Sequence, residues 1–149
     1  MKDQDNYTTS FTVDRTPEQA FAAINNVRAW WSGHIDGDTD RVGATFTYRY
    51  GDVHRSKQVI TELIPGKRVV WHVTEGHLSY VKHKGEWSGT DIVFALSRTT
   101  RGVEVRFTHI GLVPTFECYG ECTSGWSALI NGNLQKLVTT GEAQPDPFA

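Results

Sequence analysis

After Gly111 and Pro114 the apolar periodicity of the chain changes from two to that of a helix, and this switch limits the architectures open to it. Trp126, Leu129, Ile130, Leu134, Leu137 and Val138 fall at i, i+3, i+4, i+8, i+11 and i+12, one stripe along a helix face. A stripe that long has to be buried against something equally long. A helix over 115–140 would run about 39 Å at ~1.5 Å per residue, enough to cross a whole sheet, and Gly141 supplies its stop. Gly120, Gly125 and Gly132 interrupt it, each about 1 kcal/mol worse than alanine. We read these weak points as places where the helix approaches something closely.

The preceding residues supply that sheet. Period-two alternation marks five segments: Ala44 to Tyr50, His54 to Leu63, Arg68 to Thr74, Thr90 to Thr99 and Gly102 to Ile110. Gly51-Asp52 and Pro65-Gly66 are the turns between the first three, and Thr-Thr-Arg-Gly links the last two. Tyr7 to Asp14 reads as a first strand. Behind it Thr16 as N-cap, Pro17 and Gln19 form a capping box, and Ala20, Phe21, Ile24 and Val27 give the helix its apolar face. A second short turn carries the chain to Trp31 before Ser32-Gly33. Asp36 to Gly43 reads as a polar loop, and Gly76 to Gly89 as irregular, with Leu78, Tyr80 and Trp87 able to form a partial strand. The fold expected is α+β: a curved antiparallel sheet gripping a long C-terminal helix, with two short helices after the first strand. One domain spans 1–149, its core at about 7–141 and a short tail at 142–149.

A formal charge of -2, with basic residues spread along the chain, gives no electrostatic reason to expect nucleic acid or an anionic membrane. No stretch approaches the ~18 apolar residues of a membrane span, and MKDQDNYTTS has no apolar segment of the secretory kind. Cys118 and Cys122 lie four apart in a stretch read as regular helix. That geometry suits free thiols better than a bridge and points to the cytoplasm, although a lone bridge stays open.

The pieces TPEQAFAAINNVRAWW, VITELIPGKRVVWHV, GVEVRFTHIGL and GWSALINGNLQKLVTTG, in this order and spacing, resemble the SRPBCC superfamily (START-like, helix-grip). Within it they look most like the branch related to the C-terminal domain of the activator of heat-shock-protein-90 ATPase. The resemblance covers roughly residues 7 to 141. It implies a seven-stranded sheet with an apolar cavity under the helix. It also implies binding of lipids, sterols, polyketides or similar molecules, with cyclase or hydrolase activity in some members. A fold of this kind hosts many functions, so the resemblance locates a site more than it names an activity.

The inward aromatic positions Trp30, Trp31, Phe46, Tyr48, Tyr50, Trp71, Phe94, Phe107 and Trp126 suit a cavity wall whose polar tips orient a ligand; the same rings would equally fill a core. From them the candidate binding set is Trp30, Trp31, Phe46, Tyr48, Trp71, Phe94, His109, Trp126 and Ile130. His109 ends an otherwise apolar strand face and is either a polar anchor or a hydrogen-bonded structural histidine. No paired carboxylate, nucleophile or nucleotide-binding motif is present, so no catalytic residue is assigned and no cofactor expected. His72, His77 and His83 are irregularly spaced, a poor basis for a metal site. Glu62 is expected to face solvent. The expected partner is an apolar small molecule. A chaperone contact through the surface, or a cyclase or hydrolase reaction using Tyr48 and His109, are the alternatives.

Overall fold

The structure, a computed structural model, describes residues 6–148. Its first helix opens as the capping pattern demands. The Gln19 amide donates to Thr16 Oγ1 at 3.0 Å, and the Thr16 amide donates to Gln19 Oε1 at 2.9 Å. Two otherwise orphaned donors are thereby satisfied, and Pro17 removes a third. Helix α1 (Pro17–Asn25) buries Ala20 and Ile24 and passes into a 3-10 turn, Val27–Ala29.

Seven antiparallel strands follow the chain except at one edge: β1 (Tyr7–Val13), β2 (His34–Gly37), β3 (Thr45–Tyr50), β4 (His54–Ile64), β5 (Arg68–Leu78), β6 (Asp91–Thr99) and β7 (Gly102–Ile110). Their order across the sheet is β1-β7-β6-β5-β4-β3-β2, so the first strand closes beside the last. The alternation read from the sequence is the alternation observed: Phe46, Val69, Trp71, Val73, Ile92, Phe94, Val103, Val105 and Phe107 are all fully buried.

Three boundaries differ from expectation. His34–Gly37, read partly as loop, is a short edge strand that buries only Ile35 and so shows almost no apolar pattern. β5 runs on past Thr74 to Leu78 because it stays paired with β4 as far as His54, and shifts of register between Lys57 and Gln58 and between Ile60 and Glu62 bend the pair. Glu62, beside the second shift, is half-exposed and joins Arg68 at 2.6 Å.

The C-terminal helix starts later than predicted. Residues 115–118 form turns, and the helix comprises α2 (Tyr119–Ser127), a wider π-helical stretch Ala128–Leu134 and α3 (Gln135–Thr140), ending at Gly141 with φ 77°. The whole stripe from Trp126 to Val138 is buried on the sheet, with Ile130 and Leu134 at 0% exposure. Leu134→Ala should therefore cost about 2–5 kcal/mol, read as a shift in the urea midpoint at unchanged slope; a loss well below 1 kcal/mol would contradict the packing. The interrupting glycines do not mark close approaches. A Cβ built on Gly120 or Gly132 meets nothing within 4 Å, and one on Gly125 meets only Phe148, at 3.9 Å.

Residues 144–146 of the segment read as a short tail are strapped down. The Gln144 amide donates to the Ala29 carbonyl at 3.0 Å, and buried Asn133 donates through Nδ2 to the carbonyls of Trp30 and Pro145 at 3.2 and 3.0 Å. The Tyr50 hydroxyl donates to Asp146 at 2.8 Å. These bonds bring Phe148 over one end of α2.

Candidate functional site

Where α2 leaves the sheet, a cleft of about 390 Å³ opens between it, the β3–β4 turn and the loop after β5. Its wall is made by Trp31, Tyr48, Tyr50, Val53, His54, Tyr80, Trp87, Cys122, Gly125, Trp126, Leu129 and Phe148, with Glu121 and Ser124 at the helix. Trp87 reaches it because Gly76 leaves room: a Cβ there would lie 2.5 Å from that of Trp87.

Of the nine residues proposed from sequence, Trp31, Tyr48 and Trp126 line this cleft. Trp30, Phe46, Trp71, Phe94 and Ile130 lie behind it in solid core. Trp71 has Phe46 and Phe94 edge-on at 5.1 Å each and Trp31 parallel at 5.9 Å, so the space a deep pocket would need is filled with rings. Trp31 joins the two regions. Its other ring neighbours are Trp30, stacked at 6.2 Å, Tyr48, stacked at 4.1 Å, and Trp126, tilted at 5.2 Å.

His109 is the structural histidine of the two alternatives. Trp126 donates its indole N–H to Nδ1 at 3.0 Å, and the Nε2 side meets Thr90 Oγ1 at 2.8 Å, whose own hydroxyl donates to the Trp87 carbonyl. An acceptor at Nδ1 and a donor at Nε2 select one neutral tautomer. Burial, then the neighbouring His54, pull its pKa down to about 3. With both nitrogens engaged and no edge on the cleft, His109 positions Trp126 and Trp87 and has no free group to offer a bound molecule.

Sequence reading missed the polar row on the inner face of β4. Arg55 and Lys57 point outward, so His54, Ser56 and Gln58 point inward beside Tyr48 and Phe46; the alternating charges were the available signal. His54 lies edge-on to Trp87 at 4.4 Å and Tyr48 at 5.0 Å, and burial lowers its pKa to about 4. Among the described residues its Nε2 has no partner, nor do Ser56 Oγ, Gln58 Oε1 and Trp71 Nε1. Burial, then Tyr50 and Asp146, push the Tyr48 hydroxyl well above its ordinary range, so it remains a neutral donor. The cleft thus presents an apolar wall with a neutral phenol and a neutral imidazole at its inner edge.

The cysteines correct another expectation. Cys118 sits before the first turn of α2, not within a regular helix, and its Cα lies 5.5 Å from that of Cys122; the two form a disulfide. The thiols therefore no longer argue for a reducing compartment. Trp87 donates its indole N–H to Cys122 Sγ at 3.3 Å. Glu86 accepts from the amides of Glu117 and Cys118, and Glu117 accepts from the amide and Nδ1 of His83. His72 instead meets Asp91 on β6, so the histidines of this region do not converge. Thiol titration of the denatured, unreduced protein should find no reactive cysteine; two reactive thiols per chain would refute the bridge. Reduction should lower stability by about 2 kcal/mol, the scale for a loop this short. Among the described residues no helix is long and apolar enough to cross a membrane.

A seven-stranded sheet wrapped on a C-terminal helix, with an aromatic cleft where the helix begins, defines a helix-grip domain of the SRPBCC kind. More narrowly, residues 14–139 match the family model described as activator of Hsp90 ATPase homolog 1-like protein, and the chain belongs to that family. Among solved structures it is similar to the Aha1 dimer from Colwellia psychrerythraea, at 25% identity and TM-score 0.72 over 91% of this chain and 97% of that one. Protein MLL2253 from Mesorhizobium loti matches at 17% identity and TM-score 0.72 over 89% and 96%. DynU16, a protein in the dynemicin biosynthetic locus, matches at 16% and TM-score 0.69, covering 93% of this chain and 49% of that one. No curated protein matches in sequence.

Proposed function

We propose that this domain binds an apolar small molecule, such as a lipid, sterol or polyketide, in the cleft between α2, the β3–β4 turn and the loop after β5. The observation that carries the reading is the cleft's make-up. Its volume of about 390 Å³ falls in the range of ligand sites, and its wall is mostly aromatic with a few neutral polar tips. The test is a titration with a fatty acid, a sterol and an aromatic polyketide, followed by tryptophan emission. Gly125→Leu is the control variant, because its side chain would enter the cleft beside Phe148 while improving the helix. Wild type should bind at least one of the three, and Gly125→Leu should weaken it at least about tenfold, roughly 1.4 kcal/mol, at undiminished stability. Failure of all three to bind would remove the reading.

The similarity to an Aha1 supports a second reading, a chaperone contact through the surface. Stimulation of an Hsp90 ATPase by wild type and Gly125→Leu alike would favour it over the cleft.

A further inference from the structure

The cleft carries a sign of charge as well as a shape. Among the described residues that line it, Glu121 is the only charged one, and neither lysine nor arginine reaches it. A second carboxylate, Asp146, lies behind the lining ring of Tyr50: its Oδ2 accepts the Tyr50 hydroxyl at 2.8 Å and its Oδ1 the Phe148 amide at 2.7 Å. The rings of Trp31, Tyr48, Tyr80, Trp87 and Trp126 line the cleft with Glu121. A fatty acid placed here would bring a carboxylate next to others with no cation or charged histidine to receive it. The π faces of tryptophan and tyrosine attract positive charge, most strongly where water is excluded.

We propose that the molecule this cleft selects is an organic cation, an alkylated ammonium group on an apolar body, held among the tryptophan and tyrosine rings with Glu121 as its counter-charge. The inference rests on the reading of the cleft as a ligand site and narrows its occupant. Two hydroxyls of the cleft wall lie in the same negative field. After burial, Glu121 and Glu86 are what raise the Tyr80 hydroxyl, and Tyr50 and Asp146 are what raise that of Tyr48. His54 supplies no opposing charge, because burial keeps it neutral at pH 7.

Three probes on one naphthylmethyl scaffold separate charge from burial: (2-naphthylmethyl)trimethylammonium, its uncharged isostere 2-neopentylnaphthalene, and the anion naphthalene-2-acetate. Affinities are measured by tryptophan fluorescence at low and moderate salt for the intact protein and for Glu121→Gln and Glu121→Lys. Glu121 is exposed, so neither substitution disturbs the core. The cation should bind about tenfold tighter than the isostere, the scale of a partly desolvated cation–π contact, and the anion weakest. Glu121→Gln should reduce the cation's advantage several-fold without changing the isostere, and Glu121→Lys should bring the anion level with or above the cation. Equal binding of all three, or a preference for the anion in wild type, overturns the charge assignment while leaving the cleft a binding site. Failure of every naphthyl probe while a member of the apolar panel binds overturns the cation assignment alone; failure of both sets overturns the cleft as a binding site as well.

Discussion

Between pH 7 and pH 4 the domain should lose on the order of 3 kcal/mol of stability through His109 alone. In the unfolded chain a histidine titrates near ~6.5, whereas His109 in the fold is held to about 3. Across that window the unfolded state binds the extra proton, so stability falls as pH falls, beginning near the unfolded value and ending near the folded one. At about 1.4 kcal/mol per unit, 2.5 units give roughly the figure stated. His54, held to about 4 by burial, acts in the same direction over nearly the same window. Glu117, kept low by its bonds to His83, adds a loss only at the acid end. Urea unfolding at pH 7, 5.5 and 4 measures the slope, and His109→Gln should flatten it while retaining an acceptor for Trp126 and a donor for Thr90. Equal stability at pH 7 and pH 4 would contradict the buried neutral pair.

His109 also illustrates what was legible. Its position at the end of the Val103, Val105, Phe107 face follows from alternation, but its role depends on Trp126 and Thr90, which are 17 and 19 residues away along the chain. No local pattern reports contacts of that span. The fold was readable because it rests on local devices: the Thr16 box, the Pro65-Gly66 turn, and the period of two giving way to the helical stripe. The cleft was harder. Inward-facing rings look alike whether they border a void or fill one, so Trp71 and Trp31 were indistinguishable until Phe46 and Phe94 were seen closing around the first. The polar row of β4 and the strapping of Phe148 escaped because neither carries an apolar signature.

The distinction between the two tryptophans yields the second large effect. Trp71→Ala should destabilise the domain by about 3–5 kcal/mol, since it removes a fully buried indole from among four rings. Ligand affinity, measured where the variant is still folded, should stay close to wild type because Trp71 does not line the cleft. Trp71→Phe should cost clearly less than alanine, for the indole N–H that leaves with it has no hydrogen-bond partner among the described residues. Thermal and urea unfolding give both values. A Trp71→Ala protein of normal stability that has lost its ligand would place the pocket in the deep core after all.

The five tryptophans allow occupation of the cleft to be read residue by residue. In a proton–nitrogen correlation spectrum each indole N–H gives one peak, and titration with the tightest binder of the apolar panel reports which indoles it reaches. Trp31, Trp87 and Trp126 should move on binding, while Trp30 and Trp71, shut in the core behind them, hold their positions. Movement of Trp30 and Trp71 with the other three fixed would contradict binding in the cleft.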